Sequence, residues 1–136
     1  ILASETHQID LIIRVTGDCP FVNGSIIDFA IKEYKNGLSN GNFDIASTKN
    51  FFPVGLDVEC FTLKTLKRLD TNFKLTPAEK EHLTIGMYNR SNHFKKIDIR
   101  PKVFKNYSLS NQSFTLDTID DYQRFFTKPF QVNIID

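Results

Sequence analysis

The 136-residue sequence has no tryptophan, a single methionine and only two cysteines. Cys19 and Cys60 are far apart and match neither a metal-binding nor a redox-motif spacing. We therefore expect buried thiols in a reducing compartment, which favours a cytoplasmic location. A Gly-rich phosphate loop and a Ser-His-Asp order are also missing. The sequence thus lacks the motifs by which P-loop enzymes, serine hydrolases, zinc proteins and thiol-redox proteins are recognised.

Long apolar runs and strong net charge are absent as well. No run approaches the roughly 20 residues of a membrane-spanning helix, and no secretory signal is recognisable. The formal net charge is +1, so the chain creates no strong field for nucleic acid or acidic membranes. We expect neither nucleic acid nor membrane as a partner. The chain begins at Ile1 without a methionine, in a stretch with the pattern of a helix end. We therefore expect it to be a piece of a longer protein.

The length and the 40% hydrophobic content allow one compact domain with a real core. Its most informative stretch is a short apolar run, Leu11 to Val15, interrupted by Arg14. Such a run is typical of a strand buried on both faces, and it predicts a central strand of a parallel sheet. Arg14 is expected to pair with a carboxylate across the sheet. Asp18 follows on a stiff Gly-Asp-x-Pro corner.

The remaining pattern alternates helices with strands. A helix tail over 1–8 comes first, and apolar residues at helical spacing predict a helix over 25–36 that ends at Asn36-Gly37. A helix start is indicated at Thr62, and capped helix starts are indicated at Thr76 (running to about 90) and at Thr118. Further strands are predicted over 43–48, 56–61, 94–99 and 114–116, a loop over 105–113, and an edge strand or docking arm over 128–136. This order predicts an α/β fold.

Two of the predicted strands end in an aspartate, Asp18 and Asp117. If both strands run parallel in one sheet, both carboxylates lie at the same edge. Two carboxylates plus phosphate oxygens are the usual ligands of Mg²⁺ in phosphoryl and nucleotidyl transfer. The structural alternatives are that Asp18 solvates a turn and that Asp117 helps to cap its helix.

Asp57 and Glu59 fall on what the alternation predicts to be the wet face of one strand. Carboxylates at this spacing can accept hydrogen bonds from sugar hydroxyls, or they can simply be solvated. His82 can bind a substrate or make a structural contact within its helix.

Four motifs in fixed order resemble those of one family. They are RVTGDCPFV (14–22), FPVGLDVE (52–59), EHLT (81–84) and LDTIDD (116–121). Together they resemble the cytidylyltransferases of the spore-coat polysaccharide type, which are related to the synthetases of CMP-3-deoxy-octulosonate and CMP-sialic acids. The resemblance covers about residues 9 to 126.

The resemblance implies a three-layer α/β/α nucleotide-diphospho-sugar transferase-like fold with a mixed, mostly parallel sheet. It implies transfer of CMP from CTP to a sugar acid, with Mg²⁺ as cofactor, in cell-surface polysaccharide synthesis. Asp18 and Asp117 match the positions of catalytic metal ligands. Asp57, Glu59 and His82 match positions near the sugar substrate. The resemblance leaves a homodimer open as the oligomeric state.

The sequence departs from the family in two places. The Ala-Arg-x-x-Ser-x-Arg-Leu-Pro-x-Lys loop that grips the nucleotide has no match, and Ile119 stands where the family usually has Pro. We therefore expect residues 1–136 to be the C-terminal portion of a single cytidylyltransferase-like domain, incomplete and inactive alone. Two other interpretations stay open: a related-fold glycosyltransferase that uses a nucleotide-sugar, and a non-catalytic binding module.

Overall fold

The computed structural model describes residues 1–100 and 113–127. Within these ranges the strands are β1 (Leu11–Arg14), β2 (Ile45–Ser47), β3 (Glu59–Thr62) and β4 (Lys96–Asp98). The helices are α1 (Leu2–Thr6), α2 (Gly24–Asn40), α3 (Leu63–Asn72), α4 (Pro77–Glu81), α5 (Ile85–Tyr88) and α6 (Ile119–Phe126). The predicted tail 128–136 and, apart from Ser113, the predicted loop 105–113 lie outside the described residues.

The four strands form one mixed sheet in the order β1-β3-β2-β4. β3 is antiparallel to both β1 and β2, whereas β2 and β4 are parallel, so β1, β2 and β4 share one direction. The prediction that β1 is central is wrong, because β3 lies between β1 and β2 and leaves β1 at an edge of the described sheet. Accordingly, the residues of β1 are only half-buried.

The helix predicted after the acidic corner is α2, and it packs on the sheet as expected. Asn23 begins it, since its side chain accepts a hydrogen bond from the Ile26 N–H at 3.1 Å. The apolar face buries Ile26, Ala30 and Tyr34. The predicted stop at Asn36-Gly37 is wrong, and the helix continues to Asn40.

Two hydrophobic clusters lie on opposite faces of the sheet. One includes α2 and the alternate strand residues Ala46 and Cys60. The other includes Ile45 and Phe61 together with residues of α3 and α5. Because neighbouring strand residues point to opposite faces, β1, β2 and β3 each contribute to both clusters, whereas the residues of β4 are exposed. The predicted three-layer α/β/α arrangement is confirmed.

The helix predicted from Thr76 to about residue 90 is two short helices, α4 and α5, separated by 82–84. Its start is as predicted: Thr76 and Glu79 form a reciprocal capping box with Pro77 at the first turn. Glu79 also pairs with Arg90, whose Nη1 lies 2.6 Å from Oε1 of the carboxylate. This ion pair ties α4 to the end of α5. No described helix combines the length and apolar character that a bilayer crossing requires.

The strand predicted over 114–116 is wrong, because residues 113–117 form neither a helix nor a strand. Instead the Phe114 N–H donates to the Val54 carbonyl (2.7 Å), and the Leu116 N–H donates to the Asp18 carbonyl (2.8 Å). Gly55 makes this contact possible: it has φ +88°, and a Cβ there would lie 2.4 Å from the Phe114 carbonyl carbon. The segment therefore packs onto the acidic corner and the loop before β3.

Candidate functional site

A row of polar and charged residues lies at one edge of the sheet. The carboxyl ends of β1, β2 and β4 meet the amino end of antiparallel β3 there. The pairing puts four residues in one row across the sheet: Arg14, Glu59, Ser47 and Asp98. Directly opposed residues share a face, and here that face is the one covered by α5.

Glu59 is at the centre of this row and is buried, with only 4% of its surface exposed. Arg14 Nη1–H donates to its Oε2 at 2.9 Å, and the Tyr88 hydroxyl donates to its Oε1. The predicted partner for Arg14 across the sheet is thereby confirmed. The predicted wet face is wrong, because β3 is an interior strand and Glu59, Cys60 and Phe61 are all buried.

The surroundings of Tyr88 keep its phenol protonated, so that it can donate to Glu59. Burial and then the neighbouring Glu59 carboxylate raise the pKa of the phenol, although a hydrogen bond with Ser47 opposes the shift. The phenol therefore remains a hydrogen-bond donor at physiological pH. Lys96 lies over its ring, with Nζ 5.2 Å from the centroid. Tyr88 is thus held between β2, β3 and β4.

A small cavity of about 200 Å³ opens beside this cluster. It is lined by Arg14, Lys49, Asp57, Glu59, His82, Thr84, Ile85 and Tyr88. The structure therefore brings together three of the sequence-predicted residues, Asp57, Glu59 and His82. Asp57 was predicted to lie in the strand 56–61 but precedes β3, and its Oδ1 accepts the Gly55 N–H at 3.3 Å. His82 ends α4 and is exposed.

Asp18 is half-buried on the corner that follows β1. A hydrogen bond from the Thr16 side chain lowers the pKa of its carboxyl, and the positive charge of Arg14 acts in the same direction. The Cys19 thiol lies 3.1 Å from Thr16 Oγ1 and 3.6 Å from Asp18 Oδ1. Burial raises the pKa of this thiol, and Asp57 adds to the shift. Arg14 and Asp57, which line the cavity, therefore lie near the corner.

Asp117 lies beside this corner, because the preceding residue, Leu116, is hydrogen-bonded to Asp18. Its Oδ2 accepts the Thr115 hydroxyl at 2.7 Å. The α6 capping box is made by Thr118 and Asp121 instead. The predicted capped start of α6 is therefore confirmed. The structural alternative for Asp117, that it caps this helix, is wrong, because Thr118 is the N-cap.

The donor set at the corner suits a hard divalent cation. Two carboxylates are what Mg²⁺ usually takes from a protein when phosphates and water complete its shell. The lowered pKa of Asp18 keeps that carboxyl ionised at neutral pH. Among residues 1–100 and 113–127, no group of three or more His, Cys, Asp or Glu forms a metal site from the protein alone. Metal binding by Asp18 and Asp117 stays a prediction.

The sequence analysis missed Tyr88, Lys49 and Thr84 as cavity residues. Arg14 gave a usable signal, since a charge inside an apolar strand needs a partner. Tyr88 gave none, because its place depends on the break between α4 and α5. A larger cavity of about 440 Å³, between α2 and β4, contains none of the predicted site residues.

The sheet order, the two helical layers and the acidic corner together define a nucleotidyltransferase-like α/β fold. A solved cytidylyltransferase from Leptospira borgpetersenii serovar Hardjo-bovis matches it with a TM-score of 0.75 and 31% sequence identity. The match covers 89% of this chain and 49% of that one. The predicted α/β fold class with a mixed sheet is therefore confirmed. The expectation of a mostly parallel sheet is wrong for the described strands, since two of their three pairings are antiparallel.

A second similarity comes from sequence. The chain is 34% identical over 123 residues to an uncharacterized protein of Methanocaldococcus jannaschii, covering 90% of this chain and 47% of that protein. The chain thus spans about half the length of each of these relatives. No protein-family model matches it.

Proposed function

We propose that this chain contributes to a cytidylyltransferase that moves CMP from CTP to a sugar acid and releases pyrophosphate. The likeness to the Leptospira cytidylyltransferase supports the reaction class, since 31% identity accompanies a shared fold over 89% of this chain. The chain spans half of that protein. The sugar-acid acceptor and a role in cell-surface polysaccharide synthesis belong to the same proposal.

One observation carries the chemical part of the proposal. The hydrogen bond from the Leu116 N–H to the Asp18 carbonyl, 2.8 Å long, draws the 113–117 segment onto the acidic corner. The backbone next to Asp117 thereby lies against that of Asp18, although the two segments are far apart in sequence. Two carboxylates beside the crevice at the strand ends are suited to hold the Mg²⁺ of a triphosphate.

Each part of the site has a separate task in this proposal. Asp18 and Asp117 would hold Mg²⁺, which would supply charge neutralisation for the phosphates. The Thr115 hydroxyl orients Asp117. The neighbouring cavity holds the acceptor, with Asp57 and His82 as hydrogen-bonding groups on its wall. Glu59 acts through Arg14 and Tyr88, because both of its oxygens are engaged by them.

Replacing either carboxylate tests the metal assignment. We expect D18N and D117N to lower CTP-dependent pyrophosphate release about 100-fold or more, because metal charge stabilisation is worth several kcal/mol. Turnover is measured with Mg²⁺, CTP and a sugar-acid panel on the natural protein in which these residues occur. Binding of Mn²⁺ alone, followed by paramagnetic line broadening, gives a second readout that should weaken in both variants.

Asp120→Asn is the matched control, because Asp120 is exposed on the same helix end and takes no part in the capping box. It should keep both turnover and Mn²⁺ binding. Full activity in D18N or D117N would contradict the metal assignment. Release of a nucleoside diphosphate from a nucleotide-sugar, without pyrophosphate release from CTP, would favour the glycosyltransferase interpretation instead.

A further inference from the structure

We infer that Arg14 is the group that recognises the carboxylate of the acceptor, and that Glu59 and Tyr88 are positioning residues that hold it for this task. The inference rests on the proposed function and deepens it, since it names a specificity determinant within the 200 Å³ cavity.

Arg14 has unused hydrogen-bonding capacity at the cavity wall. Among its described contacts, a single N–H, on Nη1, is engaged, by Glu59. A guanidinium carries five N–H donors in a fork that matches a carboxylate. A quarter of the Arg14 side chain is exposed, and the residue lines the cavity. Its remaining donors are therefore available to a ligand there.

Glu59 is suited to positioning and poorly suited to binding a ligand itself. Its side chain is 5% exposed, and each of its oxygens already accepts a hydrogen bond. Tyr88 donates to the oxygen that Arg14 does not contact and competes there with a second arginine N–H, so Arg14 and Glu59 are joined by one hydrogen bond and not by a two-pronged pair. The phenol thus leaves part of the arginine fork free.

The rest of the cavity wall indicates an acid that also carries hydroxyls. Lys49 adds a second positive charge, whereas Asp57 and Thr84 offer oxygen acceptors. A purely anionic ligand would leave Asp57 opposed to it, and a neutral sugar would leave Arg14 and Lys49 unused. The cavity is small, about 200 Å³, and opens to solvent.

Comparing an acid with its own ester isolates the carboxylate. We expect the protein to bind 3-deoxy-octulosonate, N-acetylneuraminate or glucuronate at least about 10-fold more tightly than the corresponding methyl ester, since charged hydrogen bonds carry that much. Binding is measured by titration calorimetry and by saturation-transfer NMR, with each acid and its ester. Equal binding of acid and ester across the panel, or binding of neither form, would overturn the inference.

Variants then assign the effect to Arg14. R14Q should remove the preference for the acid, and R14K should retain part of it. Because R14Q leaves Glu59 buried without its partner, R14Q/E59Q provides a variant with neutral, hydrogen-bonding amides at both positions. Y88F should keep the fold but weaken acid binding about 3- to 10-fold, as Glu59 takes more of the guanidinium. An unchanged acid preference in folded R14Q/E59Q would overturn the inference.

Arg68→Gln is the matched control, since it breaks another arginine–carboxylate pair, with Asp44 at 2.7 Å. It should leave the acid preference unchanged. The binding readout needs neither CTP nor metal, so it separates the two proposals. Acid-selective binding without nucleotidyl transfer would contradict only the proposed function. CTP-dependent transfer without acid selectivity would contradict only the role of Arg14.

Discussion

At the scale of single residues, two buried glutamates take on different tasks through similar contacts. Glu59 and Glu79 each accept an arginine N–H and further donors, and each is 4% exposed. Glu59 does so beside a cavity at the sheet edge. Glu79 does so between two helices, where Arg90, Thr76 and Asn89 surround it. The same chemistry therefore shapes a site in one place and joins secondary structure in the other.

Glu79 makes the folded protein sensitive to acid. Hydrogen bonds, first of all from Arg90, lower the pKa of Glu79 from 4.5 to about 2. A lowered folded-state pKa means that its stabilising effect is complete above pH 4.5 and is lost as the pH falls toward 2. We expect E79Q to be less stable than the wild type at neutral pH. The difference in free energy of unfolding should shrink between pH 4.5 and 2, as measured by urea unfolding.

Glu81→Gln supplies the control for this titration, because Glu81 is exposed on the same short helix. It should change neither the stability at neutral pH nor its slope with pH. A stability difference between E79Q and the wild type that stays constant down to pH 2 would contradict the linkage.

The residue scale also shows what the sequence could and could not predict. The capping boxes at Thr76 and Thr118 were predictable, since each depends on residues three positions apart. The pairing of Arg14 was predictable in kind, because a buried charge requires a partner. The burial of Glu59 was not, since it depends on β3 lying between two strands. Alternation alone cannot distinguish an interior strand from one with a solvated face.

At the scale of elements, α2 illustrates how tertiary contact overrides a local signal. Asn36-Gly37 is a usual helix stop, yet α2 continues to Asn40. The reason lies in Phe43, whose ring packs against Gly37 and edge-on against Tyr34, with centroids 5.2 Å apart. Gly37 serves close packing here and not chain reversal. The helix boundary therefore depended on a residue beyond the helix.

This packing reverses the usual effect of a glycine-to-alanine change. In an open helix interior, alanine is favoured by roughly 0.5–1 kcal/mol. A Cβ at Gly37 would lie 2.7 Å from Phe43 Cε1, so the buried ring must shift. We expect G37A to lose about 1 kcal/mol or more, as overpacked cores do. The urea midpoint measures the change.

Gly24 is the matched control within the same helix. An added Cβ there meets nothing within 4 Å. G24A should therefore be neutral or slightly stabilising. If G37A proved as stable as G24A, Phe43 would not be the reason that α2 carries a glycine at this position.

At the scale of the whole molecule, the sheet order determines which residues form the site. The three-layer class was predictable from the alternation of helices and strands. The position of β1 was not, because strand order depends on long-range pairing that the local pattern does not encode. β3 enters antiparallel between β1 and β2, and its amino end brings Glu59 next to Arg14. The 113–117 segment reaches the acidic corner without joining the sheet. The sequence therefore predicted Asp57, Glu59 and His82 as site residues, but neither Lys49, Thr84 and Tyr88 nor the contacts that join them.

The same sheet order predicts a gradient of backbone protection. β3 and β2 have a partner strand on both sides, whereas β1 and β4 each have one in the described sheet. Alternate amides of an edge strand point away from its partner and exchange more readily. We expect slow exchange along β3 and β2 and a fast subset of amides in β1 and β4, measured by NMR hydrogen exchange. Residue pairs in register, such as Ile13 with Cys60, compare edge and interior directly. Uniform protection along β1, equal to that of β3, would contradict its edge position and require a further strand to pair with it.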